Sequence, residues 1–165
     1  MPKLTAAEQQ ALLTESGIVM RIGVIDDTGA PYVTPIWFWY EDGFIYFTPR
    51  QKSAWFKSLK RDPRVSLCID EQALPYRKVL INGNAQLEFD VGKDALWRAT
   101  YKKMAAKYVG SNGAQKYVSD TIDQPRALFR AQLAEAVVSS WRMPVADEPQ
   151  MGIWAKRYFV PGTEF

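Results

Sequence analysis

The 165-residue chain contains no histidine and a single cysteine. It therefore cannot build a Ser-His or Cys-His nucleophilic pair or a histidine-based zinc site, and one thiol makes neither a thiolate metal cluster nor an internal disulfide. No metal site is expected. Cys68 lies in the apolar run Val65-Ser66-Leu67-Cys68-Ile69 and reads as a small buried hydrophobe. Long apolar runs are missing too: none approaches the ~18 residues needed to span a bilayer, and Met1-Pro2-Lys3-Leu4-Thr5 carries no hydrophobic signal core. The expectation is a cytoplasmic protein with no membrane contact. A large excess of one charge is absent as well: 21 Lys and Arg against 18 Asp and Glu leave a net charge of +3. That balance suits a small anionic ligand better than nucleic acid, which demands a denser basic face. These absences leave little side-chain chemistry, so an enzymatic activity would come from a bound cofactor.

What is present describes one globular domain, residues 1–165, with 47 % apolar residues and enough length to bury a core without cross-links. Thr5-Ala6-Ala7-Glu8 fits a capping box, and Gly17 can close the short helix that follows. Residues 18–25, 32–40 and 44–48 are β-rich runs separated by Asp26-Asp27-Thr28-Gly29 and Glu41-Asp42-Gly43, the pattern of an antiparallel meander. Further strands are expected over 64–70 and 78–89, and a strand or pair of strands over 127–141. Between them the period turns helical, with Trp97, Tyr101, Met104 and Tyr108 on one stripe that reads as core or interface, until Gly110-Ser111-Asn112-Gly113 interrupts it. The fold class expected is mainly β with peripheral helices (α+β), a closed or nearly closed barrel.

The richest stretch for chemistry follows Phe44-Ile45-Tyr46-Phe47. There a strand end meets Thr48-Pro49-Arg50-Gln51-Lys52-Ser53 and then a helix bearing Lys57, Lys60 and Arg61, with Arg64 beyond it and Asp62 as the acidic neighbour. Hydroxyls, cations and a helix N-terminus together suit a phosphate group. For a basic run taken alone, a solvated helix face is the commoner reading of the same cations.

Three segments carry a resemblance: Gly29-Ala30-Pro31-Tyr32-Val33-Thr34-Pro35-Ile36-Trp37-Phe38, then Asp42 to Thr48, and then Ser53-Ala54-Trp55-Phe56 through Arg61-Asp62-Pro63-Arg64-Val65-Ser66-Leu67. With Val79-Leu80-Ile81-Asn82-Gly83-Asn84-Ala85, this arrangement resembles the pyridoxamine 5'-phosphate oxidase-like family. The resemblance implies a homodimeric split β-barrel of FMN-binding type, with FMN, or in some relatives a deazaflavin or haem, in a groove between subunits. It places the isoalloxazine against Pro35, Ile36, Trp37 and Phe38, the ribityl chain along Phe47 and Thr48, and the phosphate at Ser53, Ala54 and Trp55. It further implies that Lys78 reaches the flavin from the barrel, with Trp141 and Arg157 contributed by the partner subunit. For Trp37, Phe38 and Trp141, ordinary core packing is the competing reading.

Two departures shape the functional expectation. Many relatives carry Lys where this chain has Trp55, so either the phosphate recruits Arg50, Lys52 or Lys57 instead or the ligand differs. True pyridoxamine phosphate oxidases use an Arg-x-His tail motif, which a chain without histidine cannot supply, and Trp154-Ala155-Lys156-Arg157-Tyr158 stands in the tail instead. The expectation is an FMN-dependent oxidoreductase acting on a small organic acceptor, with Lys78 and Arg157 as candidates to stabilise a reduced, anionic flavin. No catalytic base is assigned. The alternative is a non-catalytic flavin, deazaflavin or haem binding protein.

Overall fold

The computed structural model describes residues 1–145. The tail, including Arg157 and Trp154, lies outside the described residues. The chain opens with α1 (Ala6–Thr14), where the capping box forms as expected: the Glu8 N–H donates to Thr5 Oγ1 at 3.2 Å and the Thr5 N–H donates to Glu8 Oε2 at 2.8 Å. Strands β1 (Met20–Ile25), β2 (Pro31–Ile36), β3 (Trp39–Glu41) and β4 (Phe44–Phe47) follow, then α2 (Ala54–Arg61), β5 (Arg64–Asp70), β6 (Lys78–Asn84) and β7 (Gln86–Phe89). The long helix α3 (Asp94–Asp120) leads to β8 (Leu128–Gln132), a short 3-10 turn and β9 (Val137–Trp141). Among the described residues no helix is long and apolar enough to cross a membrane.

The strands form two antiparallel sheets, one in the order β2-β1-β5-β6-β9 and the other β3-β4-β8-β7. Two runs read as single strands in the sequence, 32–40 and 78–89, each divide and serve both sheets. The first breaks at Trp37-Phe38. The second breaks at Ala85, which is buried and donates its N–H to the Pro63 carbonyl at 2.7 Å instead of continuing a ladder. The chain changes sheet again between β8 and β9, through the 3-10 turn. Continuous apolar runs hide such corners because burial persists through a change of sheet. Gly83 sits just before the second corner, opposite Val65, and a Cβ there would come within 3.0 Å of Ala136 Cβ.

Two apolar clusters result. The barrel core gathers Met20, Ile22, Phe38, Ile45, Phe47, Leu67, Ile69, Ile81 and Phe129 with Trp55, Phe56 and Leu59 of α2. The second cluster lies under α3, where the stripe Trp97, Tyr101 and Met104 packs with Val118 and Leu128, and Trp37, Trp39, Tyr108 and Tyr117 close around it. At the Trp37-Phe38-Trp39 corner successive side chains thus go to opposite sides, Phe38 into the barrel and both tryptophans towards α3. Gly110 interrupts α3 as the sequence indicates, at φ 71° and ψ 168°, and the helix resumes in a new direction.

Candidate functional site

Between the corner after β2, the segment joining β4 to α2, and α3 lies an open cleft of about 260 Å³. Its walls are Pro35, Ile36, Trp37, Thr48, Arg50, Ser53, Trp55, Tyr101, Tyr117 and Arg126. The fold thus brings together seven of the residues singled out in the sequence, from segments far apart in the chain. The Trp37 ring stacks on Tyr108 at 4.9 Å between centroids and 2° between planes, and Tyr117 leans on it at 4.9 Å. Trp55 is held from below by Phe47 at 6.3 Å. Ser53 opens α2 without a side-chain capping bond.

Other expected site residues go elsewhere. Phe38 and Phe47 are fully buried in the barrel and do not face the cleft. The Phe38 N–H, expected to meet a ring edge, donates to the Tyr108 hydroxyl at 3.1 Å, and that hydroxyl donates to the Ile18 carbonyl at 2.9 Å. Ala54, Lys52 and Lys57 are exposed and outside the cleft walls. The cations of the basic helix do not converge on one ligand: Lys60 pairs with Asp90 at 2.9 Å, Arg61 donates to the Ile25 carbonyl at 2.8 Å, and Arg64 pairs with Asp62 at 2.6 Å. These three hold the far end of α2 to its surroundings. Lys78 and Trp141 face each other across the β6–β9 ladder, with Nζ 4.4 Å above the indole, away from the cleft walls.

Four residues that build the cleft or back its wall carry no ligand-facing signal in the sequence. Tyr101 and Tyr108 belong to a stripe whose spacing reads as core or interface, while Tyr117 and Arg126 stand in no motif. The usable signal was Arg126 itself, a lone cation directly preceding the apolar run of β8. In the fold, Arg50 and Arg126 oppose each other in an isolated antiparallel bridge, and both donate to Tyr117 Oη, at 3.2 and 3.4 Å. Arg126 also stacks over the Tyr101 ring at 4.7 Å. Burial pushes the Tyr117 phenol up, but the Tyr101 hydroxyl beside it and the guanidinium groups of Arg126 and Arg50 outweigh that and leave it below its ordinary value. Burial pushes Tyr101 above the usual phenol range. The cleft walls include no carboxylate. Among the described residues no group of His, Cys, Asp or Glu is placed to hold a metal ion.

A scan against family profiles matches residues 5–140 to pyridoxamine 5'-phosphate oxidase. The chain belongs to the pyridoxamine 5'-phosphate oxidase family. Solved structures with this fold include a conserved hypothetical protein from Mycobacterium tuberculosis, 21 % identical, with a TM-score of 0.68 over 90 % of this chain and 94 % of that one. A FAD-binding protein from Mesorhizobium loti is 21 % identical, with a TM-score of 0.59 over 85 % of this chain and 97 % of that one. The haem storage protein HutZ from Vibrio cholerae is 17 % identical, with a TM-score of 0.62 over 81 % of this chain and 94 % of that one. No curated protein matches the sequence. At these identities the likeness is one of fold, and in this chain the family's two-sheet framework carries the cleft at the β2–β3 corner.

Proposed function

We propose that the cleft binds FMN and that the protein is a flavin-dependent oxidoreductase acting on a small, flat organic acceptor. The observation that carries this reading is the convergence of Pro35, Ile36, Trp37, Thr48, Arg50, Ser53 and Trp55 on one cleft of about 260 Å³. A flavin needs a flat wall, a polar edge and a phosphate donor set, and the residues present fit those needs. One buried donor lining the cleft, Arg126 Nε, has no partner in the protein, as expected of a group whose acceptor is a ligand. When bound, the flavin supplies two-electron redox chemistry. The chain's own part is to bind and orient. Trp37, backed by Tyr108, gives a rigid aromatic wall, while Trp55 and Ile36 exclude water. Arg50, Arg126 and Ser53 offer donors to anionic oxygens, replacing the Lys that many relatives carry at Trp55. A chain without histidine lacks the tail motif for a second phosphate of the pyridoxamine phosphate type, so turnover of that substrate is not expected.

One observation favours a second reading, that the cleft holds a flavin, deazaflavin or haem without turnover: its walls carry neither a carboxylate nor a histidine to move protons. Among the solved proteins of this fold are a FAD-binding and a haem storage protein, so cofactor binding extends across both readings. The deciding experiment is an absorption spectrum of the purified protein, followed by FMN titration and assay with reduced nicotinamide and a quinone. Bound flavin with quinone-dependent oxidation is the expected result. Efficient formation of pyridoxal phosphate, or a haem spectrum with no flavin binding, would overturn it.

A further inference from the structure

Trp37 and Phe38 lie between β2 and β3 and belong to neither sheet, so no ladder fixes the corner that carries the indole wall of the cleft. Phe38 is fully buried, and its N–H has no water to turn to. The partner is a side chain: the N–H donates to Tyr108 Oη at 3.1 Å, and the same hydroxyl donates to the Ile18 carbonyl at 2.9 Å. Burial pushes this phenol above its ordinary range, so the oxygen keeps the proton that it donates. The joint between α1 and β1 is held at two further points by the preceding residue, since the Gly17 N–H donates to the Lys107 carbonyl at 3.1 Å and Lys107 Nζ donates to the Leu13 carbonyl at 2.9 Å. One phenol thereby fastens the corner to a joint that is itself anchored on α3. The ring of that phenol lies parallel to Trp37, with 2° between planes, and is not among the cleft walls. Hydroxyl and ring therefore act on successive residues of the same corner, from outside the cleft.

We propose that the Tyr108 hydroxyl is the positioning group of the cleft: by accepting from Phe38 and donating to Ile18 it sets the Trp37 indole in its stacking plane before a ligand arrives. The proposal rests on the flavin reading only for the identity of the flat ring that stacks there. Tyr108 touches no ligand and acts through Trp37, so it governs the ring end of the cofactor and leaves the phosphate end alone. A wall set in advance removes part of the ordering cost of binding.

The test uses the full chain freed of cofactor, as wild type, as Tyr108→Phe, which keeps the ring and loses the hydroxyl, and as Tyr108→Leu, which loses both. FMN and riboflavin are titrated by fluorescence, circular dichroism is recorded in the visible bands of the bound flavin, and exchange of the Phe38 amide is followed by NMR without ligand. In the wild type that amide is expected to be protected as strongly as those of the flanking strands. Tyr108→Phe should lose the protection, weaken FMN and riboflavin alike by about tenfold, in keeping with one lost hydrogen bond to a buried group, and change the visible dichroism of the flavin that still binds. Tyr108→Leu should weaken both flavins further. A hydroxyl that only stabilised the fold would lower the urea midpoint while the affinity and dichroism of the folded protein stayed as they were, and that result in Tyr108→Phe overturns the proposal. A loss confined to FMN, with riboflavin unchanged, overturns it as well. So does a Phe38 amide that exchanges freely in the wild type, a measurement that needs no variant to fold. If the wild type binds neither flavin while its Phe38 amide is protected and Tyr108→Phe releases it, the flavin reading fails and the positioning of the corner by Tyr108 stands.

Discussion

Lys107 donates from Nζ to the Leu13 carbonyl at 2.9 Å, with the ammonium 3.4 Å from the centre of the Phe38 ring. It ties α1, α3 and the β2–β3 corner together, and it is buried. Burial pushes its pKa down to about 7, against an opposing pull from Glu15. The unfolded chain binds that proton up to about pH 10.4, so between about pH 7 and 10 the unfolded state carries more protons and stability rises with pH. Above about pH 10 the slope reverses, because burial raises Tyr101 and Tyr108, which keep protons that the unfolded phenols release. Urea midpoints at pH 7 and pH 9 should therefore differ for the wild type and converge in Lys107→Met; an equal rise in the variant would show that another group titrates. Neither this lysine nor Tyr108 could be recognised from sequence, where each is one polar group on a helix of mixed faces. Of the seven cleft residues, Thr48, Arg50 and Ser53 belong to a short local pattern, a strand end and a helix start, while Pro35, Ile36, Trp37 and Trp55 are legible only through the family resemblance. Arg126 and Tyr117 become meaningful only through the pairing of distant segments, which a single sequence does not display.

Among the elements, α3 decides the geometry of the cleft, because Tyr101 lies before its break and Tyr117 after it. Gly110 makes the break with φ 71° and ψ 168°, a conformation that side-chain-bearing residues adopt only at a cost of about 1 to 3 kcal/mol. Gly110→Ala should lower stability by that amount and also weaken FMN, since any straightening of α3 moves Tyr117 away from Arg50 and Trp37. The measurement pairs a urea titration with a flavin titration; loss of stability with unchanged FMN affinity would show that Tyr117 is held by Arg50 and Arg126 rather than by its helix. The break, the capping box of α1 and the strands around Gly29 and Gly43 were all legible in the sequence because each depends on local chemistry. Where a strand changes sheet was not. Trp37-Phe38 and Ala85 are apolar residues within apolar runs, and only the two-sheet arrangement distinguishes them from their neighbours.

At the scale of the whole molecule, the cleft shares a strand with apolar side chains that are exposed among the described residues. Strand β2 is an edge of the five-stranded sheet, and just before Pro35 and Ile36 it exposes Tyr32 at 38 % and Val33 at 64 %. Val137 at the opposite edge is 73 % exposed. Pro31 and Pro35 lack N–H groups, so β2 is poorly suited to extending a sheet into another chain. Val33, which by register shares one face of the sheet with Val137 while Tyr32 points to the other, is suited instead to packing face to face. We propose that two copies associate through this surface, so that each cleft gains a wall from the partner, in keeping with an apolar homodimer interface. Val33→Glu places a charge there without touching the barrel core, and it should shift the protein towards monomer in sedimentation velocity at micromolar concentration. It should also weaken FMN binding, because the strand that meets the partner continues directly into Pro35, Ile36 and Trp37. A wild-type monomer that binds FMN with full affinity would defeat the proposal, and a Val33→Glu monomer with unchanged FMN affinity would show that each chain completes its cleft alone.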